Sequence, residues 1–193
     1  MEEKNLNEKE SLELISRMIR NTQQKLEKGN GAPFLIWGYT TICVSLIVWY
    51  LFSATGDPRW NYLWFLILII GAPVTFLWNR KQVKGVKTYI DKVIGYIWLA
   101  FGISGVIVSS VAIFFYWPLP ILFIIVLLMG TGVVITGLVI RFKPIVFAGL
   151  GGILLSTLCL FVKGVDSILI FAAIFLVMMV IPGHILYYKG RKQ

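Results

Sequence analysis

The sequence predicts an all-α membrane protein: six transmembrane helices arranged as three hairpins, preceded by a cytoplasmic amphipathic helix. Three observations carry this. Of 193 residues, 58% are hydrophobic and 14% charged, whereas a soluble domain carries about 25% charged residues and cannot hide so much apolar surface. The apolar residues fall into six runs, each near the twenty or so residues that cross a bilayer core. Cations gather at alternate ends of those runs, a pattern that sets membrane orientation.

The division that follows is a cytoplasmic helix over 1–32 and a membrane domain over 33–193. In the first part, Leu12, Ile15, Ile19 and Leu26 recur near the 3.6-residue helical period, with Met18 and Thr22 beside them. Asn7 and Glu10 have the spacing of a capping pair, and Gly29, Gly31 and Pro33 predict the helix end. Arg17, Arg20, Lys25 and Lys28 stand on the polar side with Glu13 and Glu27. Such a helix suits anionic lipid headgroups, a second copy of itself, a protein partner, or the underside of its own membrane domain. No early apolar segment predicts a cleavable signal peptide.

The predicted spans are Phe34–Phe52, Tyr62–Trp78, Val93–Tyr116, Ile121–Ile140, Ile145–Val162 and Ile168–Tyr188. Between the second and third lies the segment 80–92, RKQVKGVKTYIDK, with five cations against Asp91. Val83, Val86, Ile90 and Val93 recur on one helical face of it, so this loop is itself a candidate for the interface, its lysines snorkelling. Threading six spans through a bilayer puts sixteen of the eighteen Lys and Arg on one side, leaving only Arg59 and Lys163 on the other. The positive side is expected to be cytoplasmic, which places both termini inside a bacterial inner membrane. Aromatics follow suit: Trp37, Trp78, Trp98, Tyr187 and Tyr188 form an inner belt. Trp49, Tyr50, Trp60, Tyr62, Tyr116 and Trp117 form an outer one.

Odd-numbered spans share a small-residue spacing: Gly38, Thr41, Ser45; Gly102, Gly105, Ser109; Gly149, Gly152, Ser156. Residues at i, i+3 and i+7 share one helix face, and small ones let backbones approach in lipid. Pro73 and Pro182 each stand seven residues before a cation, Arg80 and Lys189. These echoes suggest three related hairpins.

The net charge of +9 does not point to nucleic acid, because the cations flank apolar runs and form no separate basic domain. No Asp, Glu, Lys or Arg falls inside a predicted span. Ion-coupled pumps and intramembrane enzymes usually hold such a group there despite its cost, so the sequence speaks against both. No catalytic or metal-binding motif occurs, and no cofactor is implied. His184, the sole histidine, is a candidate proton-sensitive or ligand-contacting group near the inner interface; alone it cannot build a metal site. Thr41, Ser45, Ser109 and Ser156, with Ser110, would line an uncharged crevice if the odd spans converged, and otherwise glue helices together. Cys43 and Cys159 would lie at depths of roughly 14 and 21 Å, too different for a disulfide, and read as small buried hydrophobes.

The segments ESLELISRMI, FLIWGY, YIDKVIGYIW, WPLPILFI and IPGHIL resemble an uncharacterised family of small six-span inner-membrane proteins of Bacteroidota. The resemblance implies a role beside a small winged-helix transcription regulator, in signalling or membrane-stress response. It carries over no site residues. The resulting expectation is a non-enzymatic regulatory, interaction or structural membrane component acting through its cytoplasmic helix and basic loops. Its partners would be anionic headgroups, a cytoplasmic protein or a second copy. The competing expectation is a passive transporter or channel for a neutral or weakly charged solute.

Overall fold

The computed structural model describes residues 8–81, 89–115 and 119–191; of the side chains before Gly31, those of Leu12 and Glu13 are described. The loop 82–88 and the turn 116–118, including Val83, Lys84, Val86, Lys87, Tyr116 and Trp117, lie outside the described residues. Among the described residues the chain is helical with no strand. Six helical stretches are long and apolar enough to cross a membrane: Gly31–Thr55, Pro58–Lys81, Tyr89–Phe114, Ile121–Val139, Lys143–Phe161 and Ser167–Lys189.

The first helix departs from expectation. α1 runs without interruption from Glu8 to Thr55, 48 residues, or about 72 Å of continuous rod. The amphipathic helix and the first span are therefore one element, and Gly29, Gly31 and Pro33 do not end it. A proline inside a helix removes one i→i−4 bond and crowds the carbonyl of residue i−4. Here residue i−4 is Gly29. Gly31 serves a different purpose: a Cβ there would meet the Tyr187 backbone nitrogen at 2.9 Å, so the glycine permits close helix approach and does not cap.

Within the membrane, α1 has two apolar faces with different tasks. Phe34, Thr41, Val44, Ser45 and Val48 are buried, spaced three and four apart, while Tyr39, Leu46, Ile47 and Tyr50 are exposed on the opposite side. Cys43 belongs to the exposed side and Cys159 is half-buried; both are free thiols. The expectation of a buried Cys43 fails because position 43 falls on the face turned toward lipid.

The second span begins with a 3-10 segment, Pro58–Phe65, started by Asp57, whose carboxylate accepts from the Arg59 N–H. It continues as α2, Leu66–Lys81. The third span is α3, Tyr89–Phe114, and the fourth α4, Ile121–Val139. The fifth is α5, Lys143–Leu155, then the short α6, Leu158–Phe161. The last span joins α7, Ser167–Phe175, a π-helical turn Leu176–Val180, and α8, Ile181–Arg191. The π turn lies just before Pro182, which cannot donate to the preceding turn; π turns within helices commonly accommodate such a break.

The last span is the axis of the molecule. It is 56% buried over its most apolar window, against 33% for the first and fourth spans, 22% for the fifth and 6% for the second and third. α1 runs antiparallel to it, so the start of α1 and the end of α8 lie toward one end of the bundle, called here the terminal end. Gly38 of α1 lies on Val180 and Met179, and Gly152 of α5 lies on Met178. The π turn is thus held between glycines of two different spans. Burying apolar surface gives little drive in lipid, so van der Waals fit at such contacts must hold the helices together.

The closest neighbours along the chain are α4 and α5. Gly137 and Gly149 leave room for Val146 and Val134, whose backbone nitrogens would each stand 2.8 Å from an added Cβ. Their turn is a Schellman motif: the Phe142 N–H donates to the Gly137 carbonyl (2.9 Å) and the Arg141 N–H to that of Leu138 (3.1 Å). Arg141 takes the left-handed position, φ 55°, which glycine usually fills. Phe142 is buried beneath this turn, with the Lys189 ammonium 5.1 Å from its ring centroid.

Candidate functional site

His184 is placed by α8 one turn beyond the π segment. Gly183 beside it lets α8 close on α1, since a Cβ there would meet Leu35 and Phe34 at 3.0 and 3.1 Å. At this approach the Tyr39 hydroxyl and His184 Nε2 share a hydrogen bond of 2.8 Å. The imidazole also stacks on Tyr188, 6.0 Å between centroids at 24°, and meets Tyr39 edge-on at 5.9 Å. A Tyr–His–Tyr cluster therefore clamps the last span to the first. The carbonyl freed by Pro182, an obvious alternative partner for the imidazole, is not the one it uses.

The hydroxyls predicted as a crevice are not brought together. Ser45 Oγ donates to the Thr41 carbonyl at 2.7 Å and Ser156 Oγ to the Ile153 carbonyl at 2.6 Å. Both serines are fully buried and Thr41 nearly so. Thr136, unmarked in the sequence, behaves the same way, donating to the Gly132 carbonyl at 2.7 Å. A hydroxyl that satisfies itself on its own helix presents nothing to a solute. The odd spans do not converge: α1 and α5 reach the last span from different sides, and α3 packs chiefly on α4. Ser109 and Ser110 are half-buried on this peripheral helix.

The third small-residue face meets a different environment from the other two. A Cβ on Gly102 would have nothing within 4 Å, and one on Gly105 only Ile125 and Met129 at 3.8–3.9 Å. Gly102 opens onto an apolar groove of about 370 Å³ between α1, α2 and α3, walled by Trp37, Leu68, Trp98, Ile103 and Ile107 among others. On α2, Thr75 Oγ1 is buried without a hydrogen-bond partner among the described residues.

At the opposite end, polar side chains serve the turns. The Asp57 carboxylate binds Arg59 through its backbone N–H (2.9 Å) and its guanidinium (3.0 Å). These bonds, the backbone one foremost, hold Asp57 below the usual carboxylate value despite some opposing desolvation. Trp60 Nε1 donates to Thr55 Oγ1 at 2.7 Å, and Trp49 Nε1 to Asp166 at 3.3 Å. Among the described residues no three His, Cys, Asp or Glu side chains gather where a metal could bind.

Sequence reasoning missed Tyr39, Thr75 and the Trp49–Asp166 link. Periodicity alone could have flagged Tyr39 as a polar tip on an otherwise apolar face, but not its partner 145 residues away. No protein-family model, curated protein or solved structure matches this chain.

Proposed function

We propose that this chain is a non-enzymatic integral component of a bacterial inner membrane, with both termini cytoplasmic, that presents its N-terminal helix and neighbouring basic loops to a partner. The observation carrying this reading is the continuity of α1 from Glu8 to Thr55. Residues 8–30 prolong span one by about 35 Å. A helix coaxial with a span projects from the bilayer, where it meets proteins more readily than headgroups. Leu12, on its predicted apolar stripe, is 65% exposed. The Tyr39–His184 bond and the glycine contacts fix the base of this lever to the most buried span, so a load on the projection reaches the core.

The rival reading, a passive pathway for an uncharged solute, draws on the Gly/Thr/Ser faces. Against it stand the bonded, buried hydroxyls of Ser45, Thr136 and Ser156. The test removes residues 1–28 and places a photo-crosslinker at Leu12 in the intact chain. Insertion should survive the deletion, and the full chain should give one discrete adduct that excess unlabelled N-terminal peptide competes away. Unchanged association after the deletion refutes the reading, and solute flux through reconstituted vesicles would replace it with the rival. Compartment reporters fused after Trp78 and after Trp117 check the threading: they should register opposite sides.

A further inference from the structure

We propose that the cleft between α2 and α3 seats one anionic glycerophospholipid, with an acyl chain in the apolar groove and the phosphate among cations at the terminal end. The inference is independent of the role assigned to the N-terminal helix.

At the end away from the termini, α3 meets the 3-10 segment that leads into α2. There the Phe114 ring stacks near Phe65, 6.3 Å between centroids at 27°, and lies 6.0 Å from Tyr62. α2 and α3 themselves do not pack closely on one another. The groove occupies the space this leaves. Along α3 its lining begins at Trp98, about 9 Å from Lys92, and ends at Ile107, about 10 Å short of Phe114. Beyond one end of the groove stand these aromatics, and beyond the other the cations that end α2 and begin α3.

That charge has one dominant sign. α2 finishes on Arg80 and Lys81, and α3 begins around Lys92; all three are exposed. Arg80 is held to the helix surface by Phe76, its guanidinium 4.5 Å from the ring centroid. Asp91 is the one acid on these two helix ends, so the mouth favours an anion.

Between charge and groove lies a polar step. Leu68, Gly71 and Thr75 share a face of α2 by their spacing of three and four; Gly71 abuts the Trp37 ring and Leu68 lines the groove. Thr75 is about 9 Å from Lys81 along the axis, and its hydroxyl has no partner among the described residues. A phospholipid whose phosphate meets the cations carries its ester carbonyls near this depth. These are acceptors for the hydroxyl after rotation about χ1. Cations, then an orphan hydroxyl, then an apolar slot reproduce the order of groups in such a lipid. A second copy docked symmetrically here would bring like charges to the same mouth, and a neutral lipid would gain nothing from them.

The test uses the full chain reconstituted in bilayers of equal phosphatidylglycerol and phosphatidylcholine with matched acyl chains, then examined by native mass spectrometry. One phosphatidylglycerol should stay with each monomer, in preference to phosphatidylcholine by about tenfold, because cations near the surface favour the anionic headgroup. Gly102→Leu fills the slot and should cut retention about tenfold. Gly151→Leu, which also points into open space, should leave it unchanged. Because a groove variant can also disturb folding, R80Q/K81Q/K92Q supplies a second arm: it should retain lipid but lose the preference. Equal loading of both lipids by the parent chain overturns the headgroup assignment, and equal retention by the two glycine variants overturns the site.

Discussion

The Tyr39 hydroxyl and His184 Nε2 lie 2.8 Å apart, joining the first and last spans inside the stretch where α1 packs on α8. It ties α1 to α8 across 145 residues of chain, and the close contacts at Gly31, Gly38 and Gly183 fasten the last span to α1 beside it.

Tyr39→Phe should lower stability by about 0.6 kcal/mol, the usual yield of an interhelical hydrogen bond in a membrane. Unfolding of Tyr39→Phe, His184→Gln and the double variant in mixed micelles gives the coupling directly. A coupling of zero would mean that the bond contributes nothing and that only packing holds the joint.

Gly149 and Gly151 lie two residues apart on α5 and should respond oppositely to alanine. A Cβ on Gly149 meets the Val134 backbone nitrogen at 2.8 Å, and backbone cannot step aside, so the cost should be about 1–3 kcal/mol. Gly151 faces open space, and alanine there should be neutral or stabilise by up to about 1 kcal/mol through reduced backbone freedom. Thermal unfolding of the two variants separates them.

Arg141→Gly should raise stability by about 1 kcal/mol, because the left-handed φ of 55° strains any residue with a Cβ. The same change removes one cation from the terminal end. A stabilised variant with somewhat less uniform topology is the expected outcome, read by unfolding and by compartment reporters together.

Spin labels at Leu12 and Leu46 should give a distance near 51 Å, the rise of 34 residues in a straight α-helix. A distribution centred well below this would mean that α1 bends at Gly29–Pro33, and the projecting lever would be lost.

The sequence determined that this chain is helical, that six stretches suit a bilayer, and closely where they begin and end. Those properties follow from run length and residue chemistry, which are local. It also marked Gly38, Gly149 and Gly152 as contact points, since a small residue at helical spacing in lipid has few other uses. Other relationships were settled only by tertiary structure. The identical spacing at Gly102 opens onto a groove, because what a glycine meets depends on the neighbouring helix. Gly31 and Pro33 read as a stop signal, yet the helix continues past them: Gly31 is needed for its approach to Tyr187, and packing overrides local propensity. The Tyr39–His184 pair, the isolation of the hydroxyls and the burial of the last span all join residues far apart in the chain. Helical period has no memory over such distances, so three-dimensional packing alone could bring them together or keep them apart.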